Sequence, residues 1–297
     1  MLPKALLIVI ISSDLVEVEI TKIYFEIMAA CQTENAAKFL SKIKDEISYF
    51  SLDNKILPAL TTQDIVQISG GPGSGKTELL YHLIICCLLP DTPWKGIHLG
   101  GLNKRVIFID NDLHFNLIRF IKVLEERLKY QFSLNNYTAP VHEMSSFIDD
   151  RLKLLDIFRC SNCDKFIEIL RYTETVPKRK YLLIIDGIMS FFWSNKMRMS
   201  YSSSKIPDFF TIVTSVIKNI SKNHGLPVIV TKRKLMQSSN SERSMLPAVW
   251  RNLVTKQLEL VNNGIIGNAL DIVVHNTTSN IKIQCTISSN CGFKVCH

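Results

Sequence analysis

From residue 64 onward the chain alternates two kinds of apolar pattern. Predominantly apolar runs near residues 64–69, in RVIFID, in YLLIID and in PVIVT predict buried strands, since a strand covered on one face only would alternate apolar with polar throughout. Between them, stretches at 76–88, near 114–129 and around 209–223 predict crossover helices. Such alternation means parallel strands joined by helices, hence an α/β fold whose mostly parallel central sheet is flanked by helices. Beyond residue 248 the runs KQLELV, ALDIVV and IKIQCTI follow one another without helical stretches and predict a C-terminal antiparallel extension. The middle of the chain, before YLLIID, shows no clear period.

Residues 1–50 read as an N-terminal extension to a core spanning 51–297. Within it, residues 33–50 set Ala37, Leu40, Ile43 and Ile47 at helical spacing. The opening admits two readings. Lys4 followed by an apolar run resembles a weak secretory signal without a convincing cleavage site; alternatively, a strand at 5–11 turns through SSD into a second strand where Val16, Val18 and Ile20 alternate with Glu17 and Glu19. No stretch reaches the roughly 18 apolar residues of a membrane-spanning helix, and no membrane partner is expected.

Composition narrows the class. With 297 residues and 46% hydrophobic content the chain can bury a large core. A formal net charge of +8 points toward a polyanionic partner, nucleic acid or an acidic surface. The 8 cysteines are scattered and fit a reducing compartment. Cys160 and Cys163 form a CxxC that Cys291, Cys296 and His297 would have to complete into a zinc set; the irregular second spacing favours unpaired thiols.

The candidate chemistry starts in IVQISGGPGSGKTELLYHL. Gly70, Gly75, Lys76 and Thr77 satisfy G-x-x-x-x-G-K-T, and the pattern lies between a predicted strand and a predicted helix, the context a phosphate-binding turn requires. Glycine leaves the backbone amides of Gly70, Gly71, Pro72, Gly73, Ser74 and Gly75 free of obstruction, Pro72 excepted as a donor, and the helix start adds its positive dipole end. Lys76 reaches the outer phosphates, and Thr77 offers a hydroxyl to magnesium. A second magnesium-side carboxylate is expected at the end of another buried strand, where YLLIIDG supplies Asp186. ATP and Mg2+ are the expected ligands. VIFIDND places Asp110 and Asp112 at another strand end. Asp112, just past that strand, is the better weak base for an attacking water, with a helix-capping role as the alternative.

Two serine-rich basic segments, 194–207 and 232–247, follow strand ends, where ligands of parallel sheets collect. Lys196, Arg198 and Lys205 lie in the first; Lys232, Arg233, Lys234 and Arg243 lie in the second. They read either as DNA-facing loops or as solvated loops. Phe191, Phe192 and Trp193 are candidates for base stacking, although core packing is the commoner use of such a run.

The stretches GPGSGKTELLYHLIICCLLP, VIFIDNDLHFNLIRFIKVLEERL, YLLIIDGIMSFFW, AVWRNLVTKQLEL and GFKVC resemble the RecA-type recombinase paralogues of eukaryotic homologous recombination from about residue 65 to the C-terminus. The resemblance implies a RecA-like P-loop ATPase core without the helical DNA-binding domain of full-length recombinases, and a nuclear location. It implies an adaptor that docks onto the D paralogue of the recombinase within a wider paralogue complex, binds single-stranded or junction DNA, and helps the recombinase load or remodel its filament. The phenylalanine-x-x-alanine element of filament growth is not seen upstream of residue 65. A self-sufficient DNA-stimulated ATPase is the alternative; a small-molecule kinase lacks an acceptor-site acid and a lid arginine cluster. Two departures stand out. Where active recombinases carry a water-activating glutamate this chain has Asp112, shorter by one methylene, about 1.5 Å of reach, so hydrolysis is expected to be slow or absent. Where they carry a phosphate-sensing glutamine this chain has Arg233.

Overall fold

A computed structural model describes residues 51–57, 60–176, 181–200, 208–234, 246, 248–262, 269–275, 280–288 and 290–295. All belong to the unit Ser48–His297. The signal, hairpin and amphipathic-helix readings of residues 1–50 lie outside them.

Each strand expected from the apolar runs is present: β1 (Ile65–Gly70), β2 (Arg105–Asp110), β4 (Tyr181–Asp186) and β5 (Val228–Arg233). Side chains of these strands alternate between two cores, as a period of two demands. Val66, Ile68, Val106, Phe108, Leu182 and Ile184 enter one core, whereas Ile65, Ile107, Ile109, Leu183 and Ile185 enter the other. The first core is closed by α1 (Lys76–Leu88), α2 (Leu117–Leu134) and α3 (Val141–Leu152). The second is closed by α4 (Cys163–Thr173), α6 (Phe209–Lys222) and α7 (Ala248–Leu253). The patternless middle is thus α3, β3 (Leu155–Arg159) and α4. Its periods are faint because α3 buries only Phe147 and Ile148, and because β3 is half-buried at the sheet edge.

The order is β3-β2-β4-β5-β1-β6-β7-β8-β9. β6 (Lys256–Asn262) corrects the expected extension in one respect: it pairs with β1 in parallel. Antiparallel pairing begins with β7 (Ala269–His275) and continues through β8 (Asn280–Ser288) and β9 (Gly292–Val295). The fold is therefore the RecA-like α/β arrangement, a mostly parallel mixed sheet with antiparallel C-terminal strands. Right-handed crossovers fix which face each helix takes. β1 hands the chain to α1 on one face, while its neighbour β5 hands it to α7 on the other. Crevices open at the carboxyl ends of strands whose connections diverge in this way.

α1 is apolar nearly all round, with nine of its residues buried from Leu79 to Leu88. A polar cluster nevertheless lies along it. His82 Nε2 meets Asp53 Oδ2 at 2.9 Å, and Arg127 reaches His82 Nδ1 at 3.1 Å and Cys86 Sγ at 3.4 Å. Burial alone would push the Cys86 thiol up, but Arg127 and His82 outweigh it and bring it down to about 7. Burial would likewise raise Asp53; the His82 contact and the Ile56 and Lys55 backbone N–H groups more than offset it and hold the carboxyl at about 2. A carboxyl depressed by folding contributes stability above its unfolded value and loses it as pH falls through its folded value.

Asp53→Asn should therefore destabilise the chain at pH 7 by about 1–3 kcal/mol. The gap between variant and native chain should close as pH drops from about 4 toward about 2. Urea unfolding midpoints across that range check it; a gap that stays constant with pH would mean that the Asp53 charge contributes nothing.

Candidate functional site

The turn after β1 needs two residues in the left-handed backbone region, and glycine occupies both: Gly73 at φ 68 and Gly75 at φ 83. Gly75 also has no room for a side chain, since a Cβ there would collide with Ile287 of β8. At Gly70 a Cβ would meet Ser74 and come within 3.0 Å of the Leu260 carbonyl oxygen. Gly71 and Gly73 face open space, and Pro72 is exposed. The result is a shallow cradle of about 440 Å³ walled by Gly73, Ser74, Gly75, Thr77, Leu270 and Ile287. Its far wall belongs to the antiparallel strands, a contribution that the local motif does not contain.

Lys76 opens α1, and its Nζ donates to the carbonyl oxygens of Gly70 at 3.0 Å and Gly71 at 2.7 Å. Burial pushes its pKa down, Asp186 pulls it up, and Arg233 pushes it down again. Thr77, one residue on, brings Oγ1 to 3.4 Å from Asp186 Oδ2 at the end of β4. The other carboxylate oxygen, Asp186 Oδ1, accepts from Thr231 Oγ1 of β5 at 2.5 Å. Asp186 is almost wholly buried, and burial raises its pKa; the Thr231 hydrogen bond works against that, Asp112 and Asp110 reinforce it, and Lys76 opposes it. Thr231 was not singled out from sequence. A hydroxyl-bearing residue at a buried strand end beside a strand-end acid is the signal that would have found it.

The two acids at the end of β2 separate by geometry. Asp110 caps the turn that follows, accepting from the backbone N–H groups of His114 and Phe115 at 3.1 Å each. The capping role thus falls to Asp110 rather than Asp112, and the helix itself begins at Leu117 behind its own cap, Asn116. Asp112 Oδ1 accepts from Ser190 Oγ at 2.5 Å, next to Gly187, whose φ of 82 and missing Cβ leave room for that carboxylate.

The basic segments divide differently from the expectation. Residues 192–200 form a helix, α5 (Phe192–Ser200), instead of a loop. Lys196 is exposed on it, its Nζ 5.3 Å from the Trp193 ring centre. Arg198 lies on the same helix. Phe191 is buried and Phe192 half-buried, as core packing requires, but Trp193 is 61% exposed, against the core reading. Lys205 and Arg243 lie outside the described residues. Lys232 and Arg233 belong to β5 itself, and Lys234 binds Glu259 at 2.6 Å, which neutralises its charge. Among the described residues no group of three or more His, Cys, Asp or Glu side chains could hold a metal, and no helix is long and apolar enough to cross a membrane.

No protein-family model matches the chain. It is 26% identical over 283 residues to the DNA repair protein XRCC2 homolog of Arabidopsis thaliana, a match covering 76% of each chain. It is 28% identical over 184 residues to DNA repair protein XRCC2 of Mus musculus, covering 60% of this chain and 58% of that relative. DNA repair protein RAD51 homolog 2 of Mus musculus is 23% identical over 184 residues, or 62% of this chain and 49% of the relative. The chain thus spans about three quarters of the plant relative and about half to three fifths of the mouse ones. It is XRCC2-like, with RAD51 paralogues as more distant relatives, and the recombinase-paralogue resemblance is borne out.

Gly187→Ala and Gly71→Ala should separate conformational need from mere presence in the site. A Cβ at Gly187 would press on Ser190 and come within 2.6 Å of Asp112 in a left-handed backbone, so its replacement should cost more than about 1 kcal/mol. Gly71→Ala meets nothing within 4 Å and should change the unfolding midpoint little. Equal midpoints for the two variants would show that the Gly187 turn relaxes freely.

Proposed function

We propose that this chain is a nucleotide-holding recombinase paralogue that acts as an adaptor in DNA repair by homologous recombination. The observation that carries the reading is the convergence of Lys76, Thr77 and Asp186 on one glycine cradle at the carboxyl edge of the sheet. The cradle fits a nucleoside triphosphate. Its turn is open where a chain of phosphates would lie, at Gly71 and Gly73, and tight where Gly70 meets Ser74 and Leu260 and where Gly75 leans on β8. Lys76 Nζ rests on two carbonyl oxygens that a phosphate oxygen can replace as partners. Thr77 Oγ1 and Asp186 Oδ2 are the oxygen pair that would hold magnesium, a hard cation. Leu270 and Ile287 supply apolar wall for the rest of the nucleotide.

Such a site holds ATP more readily than it cleaves it. Attack on the terminal phosphate needs a carboxylate turned toward a water, and Asp112 is engaged by Ser190 instead. The Ser190 hydroxyl has one proton to share between Asp112 and the Gly187 carbonyl oxygen, and even where Asp112 is released the side chain is still one methylene short. When bound, ATP with magnesium supplies charge and binding energy that stabilise the folded chain by mass action.

The adaptor joins a paralogue complex, with the D paralogue of the recombinase as its partner, in the nucleus; the relatives named DNA repair protein RAD51 homolog 2 and RAD51 homolog 3 support the repair role and the paralogue setting, and the partner and the location follow from the family resemblance alone. For single-stranded or junction DNA, α5 is the favoured contact. Trp193 offers an exposed ring and Lys196 a cation beside it, the pairing of stacking and charge that single strands bind.

Lys76→Ala should abolish binding of ATP with magnesium in calorimetry, whereas Asp112→Ala should retain it. Steady-state ATP turnover with single-stranded DNA should stay below about 1 per second; faster turnover that vanishes with Asp112→Ala would replace the adaptor by a self-sufficient DNA-stimulated ATPase. On single-stranded DNA, Trp193→Ala should weaken binding by about 1–3 kcal/mol, and Lys196→Ala should flatten the slope of log affinity against log salt by about 0.7. An unchanged slope would remove α5 from the DNA-binding surface.

A further inference from the structure

The connection from α1 to β2, residues 89–104, crosses the edge where the parallel strands begin, opposite the edge that carries the glycine cradle. It is pinned at two points. The Pro90 carbonyl oxygen accepts from the Gly101 N–H at 3.2 Å. Trp94 and Ile97 exchange backbone hydrogen bonds at 3.0 and 2.9 Å around Lys95 and Gly96, whose φ of 52 and 81 make the tight turn of a small hairpin. The Trp94 ring holds that hairpin down, with its centroid 5.3 Å from that of Phe132 and 4.8 Å from that of Phe147. Between the pins Asp91, Thr92 and Pro93 form a crest, and all three are exposed.

Of the 10 prolines in the chain, Pro93 alone follows a serine or threonine. Its ring steers Thr92 away from helical backbone, and no helix or strand claims residues 91–93. A proline after a hydroxyl residue also has a chemical meaning, because it carries no N–H. An enzyme cleft that closes an apolar surface over that position accepts proline and penalises any other residue, whose N–H would be buried without a partner. Lys95 adds a cation three residues after Thr92. It is paired with Glu143 of α3 at 3.0 Å, and an exposed pair of this kind opens at little cost. The crest thus offers a hydroxyl, a missing donor and a releasable cation in the order Thr92, Pro93, Lys95.

We propose that Thr92 is a phosphoacceptor for a proline-directed serine/threonine kinase. The γ-phosphorus of ATP bonds to Thr92 Oγ1 while its bond to the β–γ bridging oxygen breaks. ADP departs with that electron pair, and the hydroxyl proton passes to the kinase's catalytic carboxylate. The product carries a charge of about −1.5 to −2 beside Asp91 and close to Lys95. It draws Lys95 away from Glu143, so a surface of mixed charge turns acidic. The phosphate arrives at the opposite edge of the sheet from Lys76 and Thr77. It therefore marks the chain without entering the nucleotide cradle, and the assignment stands whether or not that cradle is filled.

The test incubates the full chain with magnesium, γ-labelled ATP and a purified cyclin-dependent kinase, a proline-directed enzyme, and reads the amount and position of phosphate after denaturation. The native chain and Thr92→Ser should be labelled at residue 92, and Thr92→Ala should lose nearly all of the label. Pro93→Ala should slow transfer about tenfold or more, the worth of one N–H buried unpaired, and Lys95→Ala should slow it less. Thr92 and Pro93 are exposed, so their replacement leaves the fold in place, which matched urea midpoints check. Undiminished labelling of Thr92→Ala, equal rates for Pro93→Ala and the native chain, or labelling of a peptide of residues 86–98 but not of the folded chain would each overturn the assignment.

Discussion

A buried carboxylate at the end of β4 sets the terms for the carboxyl edge of this sheet. Asp186 has lost most of its water, and only directed partners keep its two oxygens in different uses. Thr231 holds one and leaves the other turned to Thr77. That division depends on β5 lying between β4 and β1, and hence on the crossovers that send α1 to one face and α7 to the other. Topology here does the work of positioning; the side chains add the chemistry.

The same rule explains how much was legible in the residues alone. The turn at 70–77 is local, so spacing reveals it, and the apolar strands announce themselves because they are buried on both faces. Contacts between distant segments are another matter. Glu259 lies 25 residues from Lys234 and Arg127 lies 41 from Cys86, and nothing in the intervening chain marks either pair. Asp110 and Asp112 differ only in which way a short side chain turns, and backbone geometry decides that: His114 and Phe115 claim the first and Ser190 the second. The exposure of Trp193 is hidden in the sequence for a related reason. An aromatic run looks uniform in sequence, yet a helix starting at Phe192 sends consecutive rings to different faces.

The scattered cysteines show the same limit from the side of burial. Cys86 and Cys87 are neighbours in α1 and both buried, but they stand in opposite electrostatic surroundings. Arg127 and His82 bring Cys86 down, while burial drives Cys87 well up. A helical step of about 100° between neighbours is enough to separate a thiol that carries charge near neutrality from one that does not. Sequence counts them as a pair; the helix makes them different acids.

The contact between Gly75 and Ile287 joins the turn to a ribbon of strands that arrives some two hundred residues later in the chain. A side chain at Gly75 would press on Ile287, and β8 is hydrogen-bonded to β7 on one flank and β9 on the other, so the turn is braced from that side by the whole antiparallel ribbon. Clipping the tail before β8 would do more than shorten the sheet: it would remove Ile287 from the wall of the cradle and leave the glycine turn without that brace.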